Sequence, residues 1–388
     1  MKTFDFKGEV KSSKSYFNRA LILSHYKKNL QIKGDTQSQD VLFLQKALQN
    51  LTSEIEVGEG GTTLRFLTFL VSRIPGRWTL RGSPRLFSRP QKEMQNILEQ
   101  LGVRLRLSES SLAIDSEGWR PASVLRLDLS KSSQFASGLI LNAWELPFEM
   151  KLELSQERVS DGYLAMTLDL VRKAGMVIQE ENNQLIIPAD QKIKIDSVEV
   201  EQDVSSAFVV ASLAAGRGHC EIQNFPFQSL QPDILFVSLF KEMGIPLTKV
   251  GTTLQVERAL HMKSLEISLR QAPDLFPVLC VLLTRTQGVS RIYDTPQLVH
   301  KESNRLQKIS ELLNLMRVEN KIENDGIVIR SLGRHHHEFF EFDPDQDHRL
   351  AFAAALAKSF GYRMRIRHPK VVKKSFPQFW DLIGGGPG

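Results

Sequence analysis

Short runs with strand-like alternation of apolar and polar residues recur along the whole chain. Their spacing predicts many short β-strands with longer elements between them. The clearest runs are EIEV (54–57), RWTLRG (77–82), SVLRLDL (123–129), MKLEL (150–154), QLIIP (184–188), HCEIQNF (219–225), LQVE (254–257), SRIYD (290–294), GIVIRS (326–331) and RMRIRH (363–368).

Six longer blocks between these strands are rich in small apolar residues, and each opens with a polar cluster. The blocks cover residues 13–24, 60–71, 132–143, 203–216, 273–284 and 347–359. Because most of them are apolar nearly all round, we expect buried helices rather than amphipathic surface helices. Their polar starts permit two interpretations, which are ordinary N-caps or convergent helix N-termini that bind anions.

A second repeat joins a helix to a following strand through glycine. It occurs as LEQLGVRLRL around Gly102, LVRKAGMVIQE around Gly175 and LFKEMGIPLTKV around Gly244, with LLNLMRVEN around Met316 as a glycine-free copy. A glycine directly after a helix indicates a left-handed residue that ends it. The chain therefore alternates α and β elements in repeated units.

Length and charge limit the class of protein. At 388 residues the chain exceeds one ordinary hydrophobic core, which favours two domains. The net charge of +6 favours anionic partners. Since no lysine-rich tail is present, we expect small phosphorylated molecules rather than nucleic acid or a membrane. With no signal-like segment and no long apolar run, we also expect a cytoplasmic protein.

The sequence offers little for metal or disulfide chemistry. Cys220 and Cys280 are too few for a disulfide framework, and we expect both to be buried thiols. The run His335-His336-His337 is a poor metal candidate, because neighbouring side chains of an extended segment point to opposite faces. We therefore predict no metal and no cofactor. The usual glycine-rich nucleotide motifs are also absent.

Two motifs near the N-terminus suit an anionic ligand. The segment from Lys14 to Arg19, KSYFNR, places two cations and a hydroxyl at the start of an apolar helix. In GEGGTTLR, the paired glycines Gly60 and Gly61 allow close approach of the backbone, and Thr62 and Arg65 add side-chain donors. A simple glycine turn before a helix remains the alternative for the second motif.

These motifs resemble those of 5-enolpyruvylshikimate-3-phosphate synthases, and the match continues in order along nearly the whole chain. The corresponding segments are GSPRLFSRP (82–90), SSQ (132–134), Ser160 with Tyr163, DVSS (203–206), PD (273–274), KESNR (301–305), DHR (347–349) and KSFP (374–377). The chain is identified on these residues as similar to enolpyruvyl transferases.

The resemblance implies two substrates and the residues that bind them. For phosphoenolpyruvate it implies Lys14, Gly61, Arg89, Gln134, Arg305, Arg349 and Lys374. For shikimate 3-phosphate it implies Ser15, Arg19, Thr62, Ser132, Ser133, Gln134, Ser160, Tyr163, Asp274, Gln297 and Lys301. Because unpaired buried cations would destabilise the fold, we expect domain closure on the substrates to neutralise them.

The family reaction needs groups that move protons at the hydroxyl and at the methylene carbon. We assign hydroxyl deprotonation to Asp274, aided by Lys14, and proton exchange at the carbon to Glu302. On a helix, Lys301 and Glu302 would share one side with Arg305. The chain departs from the family pattern at Glu59 and Gln297, where asparagine is usual, and at Asn304, where aspartate is usual.

The resemblance also implies an α/β fold of two domains, an inverse α/β barrel of six βαβαββ repeats with the active site in the interdomain cleft. We expect one domain over residues 13–202 and the other over 1–12 together with 203–388, in a monomer. Three alternatives stay open. They are an enolpyruvyl transferase for UDP-N-acetylglucosamine, a noncatalytic relative and a relative that binds RNA termini. The first is disfavoured because the loop SPRLFS lacks the reactive cysteine of that family.

Overall fold

The computed structural model describes residues 3–332 and 338–384. The histidine run His335 to His337 lies outside the described residues. Two compact units are present. The N-terminal unit is Ser12–Val200, and the C-terminal unit comprises the chain up to Lys11 together with the chain from Glu201 onward. Each unit has its own hydrophobic core.

Strands and helices alternate in both units, as the sequence predicts. The strands are β1 (Phe4–Gly8), β2 (Gln31–Lys33), β3 (Glu54–Gly58), β4 (Gly76–Gly82), β5 (Arg104–Leu107), β6 (Ser111–Ser116), β7 (Leu125–Leu129), β8 (Met150–Arg158), β9 (Gln179–Glu181), β10 (Gln184–Ile187), β11 (Ser197–Glu199), β12 (Gly218–Ile222), β13 (Leu247–Val250), β14 (Thr253–Glu257), β15 (Met262–Lys263), β16 (Glu266–Ser268), β17 (Thr286–Tyr293), β18 (Glu319–Glu323), β19 (Gly326–Leu332), β20 (Phe340–Phe342) and β21 (Met364–Ile366).

The helices include all six of the predicted buried helices. They are α1 (Lys14–Tyr26), α2 (Gln39–Gln49), α3 (Gly61–Val71), α4 (Pro84–Phe87), α5 (Lys92–Gln100), α6 (Gln134–Leu141), α7 (Asp161–Lys173), α8 (Val204–Arg217), α9 (Phe236–Glu242), α10 (Phe276–Leu283), α11 (Arg305–Leu315), α12 (His348–Ser359) and α13 (Phe379–Leu382). Short 3-10 turns cover Pro232–Leu235, Pro273–Leu275, Pro296–His300 and Pro369–Lys374. The predicted mixed α/β fold class is confirmed.

Four sheets share one topology, in which a parallel pair is extended by an antiparallel hairpin. In the N-terminal unit these are β3-β4-β6-β5 and β7-β8-β10-β9. In the C-terminal unit they are β1-β12-β14-β13 and β15-β17-β19-β18, with β16 also pairing with β17. Each unit also has one two-stranded parallel sheet, β2 with β11 or β20 with β21. The same local arrangement therefore recurs across the described residues.

Three apolar helices pack together inside each unit. Helices α1, α3 and α6 contact one another in the N-terminal unit, and α8, α10 and α12 do so in the C-terminal unit. Gly138 lets α6 approach α3 closely, since a Cβ there would lie 2.6 Å from the ring of Phe69. The predicted burial is confirmed, because nearly every residue of α8 and all of α10 are buried.

The glycine turns end their helices as predicted. Gly102, Gly175 and Gly244 have φ angles of 80°, 104° and 73°. The residue after each one donates to a carbonyl five positions back, as Ile245 does to Phe240 at 2.8 Å, which is the Schellman arrangement. In the glycine-free copy the left-handed residue is Arg317, with φ of 55°, and Met316 remains right-handed.

The left-handed backbone conformation therefore costs conformational free energy at Arg317, which the glycines at the equivalent positions do not lose. We expect Arg317→Gly to raise the free energy of unfolding by about 0.5 to 1 kcal/mol, because a side chain is disfavoured in the left-handed region. Its exposed ion pair with Glu338 contributes little in return. Urea denaturation at neutral pH measures the change.

Gly244→Ala is the matched opposite change. Apart from its two chain neighbours, no heavy atom of the described residues lies within 4 Å of where its Cβ would stand, so a loss of about 1 kcal/mol reports the backbone alone. A stabilised Gly244→Ala variant or a destabilised Arg317→Gly variant would contradict this account.

Candidate active site

The polar starts of the six buried helices serve partly as caps. Ser13 accepts a hydrogen bond from the amide of Tyr16, Asp203 from that of Ser206, and Asp347 from that of Arg349. Gly60 before α3 has no side chain to form such a cap, and Ser133 before α6 forms none among the described residues, although Ser132 Oγ accepts from the amide of Gln134 at 3.2 Å. Several helix starts are thus capped, whereas the start of α3 keeps backbone donors for a ligand.

Arg305 is the centre of a charged cluster in the C-terminal unit. Its side chain is 1% exposed and contacts three carboxylates. The Nη1 atom donates to Asp274 at 2.7 Å, Nη2 to Glu302 at 2.9 Å, and Nε to Asp347 at 2.8 Å. Burial alone would lower the pKa of Arg305, but these three carboxylates together raise it well above its ordinary value. The guanidinium is therefore permanently charged.

Asp274 links this guanidinium to two further cations. Its Oδ2 accepts from Arg349 Nη2 at 3.0 Å, and its Oδ1 lies 3.5 Å from Lys301 Nζ. Burial opposes ionisation of Asp274, yet Arg349, Lys301 and Arg305 hold its pKa well below the usual range. Asp274 is consequently an ionised carboxylate at neutral pH.

Glu302 completes the cluster without being on a helix. Its second oxygen lies 4.0 Å from Lys374 Nζ. The expectation that Lys301 and Glu302 share a helical face with Arg305 is wrong, because α11 begins at Arg305 itself. Asn304 caps that helix by accepting from the amide of Gln307 at 3.2 Å, so residues 301–304 have irregular backbone. The contact with Arg305 forms all the same.

These contacts define the C-terminal cluster, which consists of Asp274, Lys301, Glu302, Arg305, Asp347, Arg349 and Lys374. The expectation that its cations need substrate to neutralise them is wrong for Arg305, which already has carboxylate partners. Sequence reasoning quoted Asp347 in a motif but gave it no role. The structure shows that the Asp347 carboxylate accepts hydrogen bonds from both the amide of Arg349 and the side chain of Arg305.

Gln297 does not join this cluster. It is 2% exposed, and its amide donates to the backbone carbonyl of Arg270 at 3.0 Å and to that of Leu269 at 3.5 Å. Its carbonyl oxygen is buried without a hydrogen-bond donor among the described residues. The described hydrogen bonds of Gln297 are thus with the backbone of Leu269 and Arg270 rather than with side chains of the cluster.

Lys14 begins α1 in the N-terminal unit and pairs with a carboxylate. Its Nζ lies 2.9 Å from Asp40 Oδ2, and the Asp40 side chain is 6% exposed. The backbone carbonyl of Asp40 accepts from Thr63 Oγ1 at 3.0 Å, which attaches α2 to the first turn of α3. Sequence reasoning missed Asp40, although an acidic residue in the first turn of a helix was visible.

Arg19 is buried among neutral acceptors. It is 2% exposed and donates to Thr167 Oγ1 at 2.8 Å, to the Ser15 carbonyl at 2.6 Å and to the Tyr163 carbonyl at 2.8 Å. No carboxylate of the described residues pairs with it, and burial lowers the pKa of Arg19 to about 10. At neutral pH it is therefore a desolvated cation that suits an anion.

Arg65 connects the loops that carry several predicted residues. It is 2% exposed and stacks on the ring of Phe135 at 4.6 Å. Its guanidinium donates to Gln134 Oε1 at 2.6 Å, to Ser132 Oγ at 3.4 Å and to the Pro90 carbonyl at 2.8 Å. Gln134 in turn donates to Thr62 Oγ1 at 3.3 Å. The sequence predicts Arg65 as a donor to a ligand, and in the fold it also holds Ser132, Gln134 and the Pro90 carbonyl in place.

Two further pairs of predicted residues meet in the N-terminal unit. A Cβ at Gly61 would lie 2.6 Å from Arg89 Nη1, so the absence of a side chain makes room for that guanidinium. Ser133 Oγ donates to the Ser160 carbonyl at 2.9 Å, and Ser160 precedes α7 with a φ of 59°. Glu59 is exposed directly before Gly60.

Other chemistry that the sequence raised can be located as well. Cys220 and Cys280 are free and buried, as predicted, and burial raises the pKa of Cys220 to about 12. Within residues 3–332 and 338–384, no group of three or more His, Cys, Asp or Glu side chains is arranged to hold a metal ion. No helix of the described chain has the length and apolarity to cross a membrane.

Comparison with known proteins gives a consistent result. The family model for EPSP synthase (3-phosphoshikimate 1-carboxyvinyltransferase) matches residues 27–383. The 3-phosphoshikimate 1-carboxyvinyltransferase of Syntrophobacter fumaroxidans is 33% identical over 336 residues, or 85% of this chain and 79% of that protein. The Archaeoglobus fulgidus protein of the same name is 29% identical over 410 aligned positions, which cover 97% of this chain and 96% of that protein.

Solved structures show the same fold. EPSP synthase from Acinetobacter baumannii matches with a TM-score of 0.76 at 19% identity, over 99% of this chain and 96% of that one. The enolpyruvyl transferase NikO from Streptomyces tendae matches with a TM-score of 0.74 at 11% identity, over 99% and 95%.

The C-terminal cluster makes a prediction about stability. Arg305→Ala removes a shared partner from the buried carboxylate of Asp347 and from the partly buried carboxylates of Asp274 and Glu302, so we expect a loss of about 3 to 5 kcal/mol at pH 7.5. Because the folded-state pKa of Asp274 lies below its unfolded value, this stabilisation is present above about pH 4 and is lost on acidification. Urea unfolding at pH 7.5 and 3.0 should therefore show a smaller difference from wild type at the lower pH.

Arg270→Ala is the control, since its pair with Asp294 is partly exposed, with side chains 27% and 32% accessible. It should cost less than about 1 kcal/mol at both pH values. A loss in Arg305→Ala that is equally small, or one independent of pH, would count against the ion network.

Proposed function

This chain belongs to the EPSP synthase (3-phosphoshikimate 1-carboxyvinyltransferase) family, and we propose that it transfers the enolpyruvyl group of phosphoenolpyruvate to the 5-hydroxyl of shikimate 3-phosphate. Phosphate is released by addition and then elimination. The reaction belongs to the shikimate pathway, which leads to chorismate and the aromatic amino acids. The enzyme is thus a transferase whose partners are two small phosphorylated molecules.

The observation that carries this proposal is the C-terminal cluster, in which Asp274, Glu302 and Asp347 lie against buried cations. Phosphoenolpyruvate has a carboxylate and a phosphate, both of which guanidinium groups bind well. We assign its binding to Arg305, Arg349 and Lys374 in this cluster. In the N-terminal unit we add Lys14, Gly61, Arg89 and Gln134.

Shikimate 3-phosphate is assigned chiefly to the N-terminal unit. The desolvated cation Arg19 lies beside Ser15 and Tyr163, which suits a phosphate or a hydroxyl-rich ring. Thr62, Ser132, Ser133 and Ser160 add hydroxyl and backbone donors. From the C-terminal unit, Asp274 and Lys301 supply a carboxylate and an ammonium, while Gln297 contributes through the backbone it supports.

The proposed chemistry uses the two carboxylates that contact Arg305. In the addition, Asp274 takes the proton of the 5-hydroxyl, its oxygen bonds to C2 of phosphoenolpyruvate, and C3 receives a proton from protonated Glu302. In the elimination, Glu302 takes a proton back from C3 as the bond from C2 to the phosphate oxygen breaks, and Asp274 returns its proton to the departing phosphate. Lys14 offsets negative charge on the oxygens during both steps.

Substrate binding should make Asp274 a stronger base than it is in the free enzyme. Its pKa is held low by Arg349, Lys301 and Arg305. A substrate carboxylate that binds Arg349 and Arg305 neutralises part of that charge, and its own charge disfavours a second anion nearby. The pKa of Asp274 then rises toward values at which it accepts a proton more readily.

Further features of the family are proposed for this chain. We propose six βαβαββ repeats, in which the short sheets β2 with β11 and β20 with β21 represent the two repeats without a complete four-stranded sheet. The domains implied by the resemblance, 13–202 and 1–12 with 203–388, would each hold three. A cytoplasmic monomer follows from the same family relation. The alternative of a noncatalytic or RNA-terminus-binding relative is tested below.

Phosphate release provides the decisive assay. We expect the purified protein to release phosphate only when both phosphoenolpyruvate and shikimate 3-phosphate are present. Glu302→Gln should lower kcat by about 100-fold or more with a small change in KM, because the amide retains shape but cannot exchange the proton. A malachite green assay over time measures both.

Glu311→Gln is the matched control, since this carboxylate is 47% exposed and pairs with Lys308 on the surface of α11. It should keep wild-type kcat. Binding of shikimate 3-phosphate without any phosphate release by wild type would favour the noncatalytic relative, whereas tight binding of an RNA terminus would favour the other alternative.

The unusual Glu59 should weaken phosphoenolpyruvate binding by like charge. We expect Glu59→Asn to lower the KM for phosphoenolpyruvate about three- to tenfold at low salt, and less at higher salt, because the side chain is exposed and screened. Glu99→Gln removes another exposed carboxylate of the same unit as a control. An unchanged KM in Glu59→Asn at low salt would show that Glu59 points away from the substrate.

A further inference from the structure

One buried carboxyl group next to the C-terminal cluster has no role in the proposed reaction. Asp233 lies in the 3-10 turn Pro232–Leu235 and is 1% exposed. Its Oδ2 accepts a hydrogen bond from Ser205 Oγ in the first turn of α8. Its Oδ1 is buried and has no hydrogen-bond donor among the described residues. Among the described residues, only one of the two Asp233 carboxyl oxygens therefore has a hydrogen-bond donor.

Arg349 lies between this carboxyl and Asp274. Its Nη1 is 3.6 Å from Asp233 Oδ2, and its Nη2 donates to Asp274 Oδ2 at 3.0 Å. The same Nη2 also donates to Ser205 Oγ at 3.1 Å. One guanidinium thus faces two buried carboxyl groups, and Ser205 bridges it to Asp233.

The charges around Asp233 disfavour a second anion. The groups that act on it are Arg349 on α12, Asp274 in the turn Pro273–Leu275, and Ser205 with Asp203 at the start of α8. Burial is the largest influence and, with Asp274 and Asp203, outweighs Arg349 and Ser205, so the pKa of Asp233 is raised to about 6. Asp274 therefore stays ionised beside the Arg349 guanidinium. Of the two carboxyl groups, Asp233 is the one that gains or loses a proton.

We propose that Asp233 is a positioning residue that couples phosphoenolpyruvate binding at Arg349 to the uptake of one proton. This inference rests on the proposed function, since it needs Arg349 to hold the anionic substrate. When Asp233 is protonated, it no longer competes as an anion for Arg349, which can then bind the substrate anion. When Asp233 is ionised, it competes for the same guanidinium through the contact at Nη1.

The direction of the pH effect follows from linkage. A bound anion at Arg349 raises the pKa of Asp233 above that of the free enzyme, so the complex binds more protons than the free enzyme between these two values. Substrate affinity is therefore highest below about pH 6 and falls as the pH rises from there. Each unit of added pKa corresponds to about a tenfold change in affinity.

The test is the KM for phosphoenolpyruvate between pH 6 and 8 in wild type and Asp233→Asn, with shikimate 3-phosphate saturating. Asparagine imitates the protonated carboxyl, so the ratio of wild-type KM to variant KM should rise by several-fold to about tenfold over this range. Ionisation of the substrate itself is the same in both assays and cancels in the ratio. We expect kcat to change less than threefold at each pH.

Ser205→Ala gives a second and independent readout. Its hydroxyl lowers the pKa of Asp233, so its removal should move the rise in KM to higher pH while the carboxyl remains. Glu201→Gln is the matched control, because Glu201 accepts from Ser229 and Gln231 but has no described contact with Arg349. Its KM profile should follow that of wild type.

A ratio that stays constant with pH, together with an unmoved profile in Ser205→Ala, overturns the inference and leaves Asp233 a structural residue. These outcomes are distinct from failure of the proposed function, in which wild type releases no phosphate at any pH. If Asp233→Asn does not fold, the Ser205→Ala profile decides alone, since that variant keeps every charge.

Discussion

A fully buried arginine, Arg305, sets the condition that the C-terminal unit has to meet. A guanidinium out of water is tolerated only when counter-charges replace its hydration. Asp274 comes from a 3-10 turn, Glu302 from an irregular segment, and Asp347 from the N-cap of α12. Three separate segments of the chain therefore meet at the Arg305 guanidinium. Asp347 serves twice, because it caps the helix and contacts the arginine.

In the N-terminal unit, Arg19 meets the same kind of requirement with neutral groups, whereas Lys14 pairs with the carboxylate of Asp40. Arg19 is surrounded by carbonyl and hydroxyl oxygens, and its pKa of about 10 still leaves it charged at neutral pH. Arg65 is likewise held by an amide, a hydroxyl and a carbonyl. Arg19 thus keeps more of its charge available to a ligand. In the C-terminal unit, three carboxylates offset the charge of Arg305.

The same arrangement of helices and sheets, repeated in each unit, supports both ways of balancing buried charge. Each unit packs three apolar helices together and surrounds them with sheets that combine a parallel pair and a hairpin. Strand β1 pairs with β12, far along the chain, so the first strand belongs with the second half of the sequence. The framework fixes where the polar helix starts lie, and the side chains around them then determine what each start can bind.

The sequence alone determined the six buried helices, the strands between them, the left-handed turns at Gly102, Gly175 and Gly244, and the family to which the motifs belong. Those features follow from local periodicity and backbone preference, which a short window of residues contains. It did not reveal that Arg317 occupies a left-handed position, or that residues 301–304 lie outside a helix. Nor did it reveal which carboxylate faces which cation. Asp40 and Lys14 are 26 positions apart, and Asp347 and Arg305 are 42 apart. Such pairs depend on how distant segments pack, and only the tertiary structure decided them.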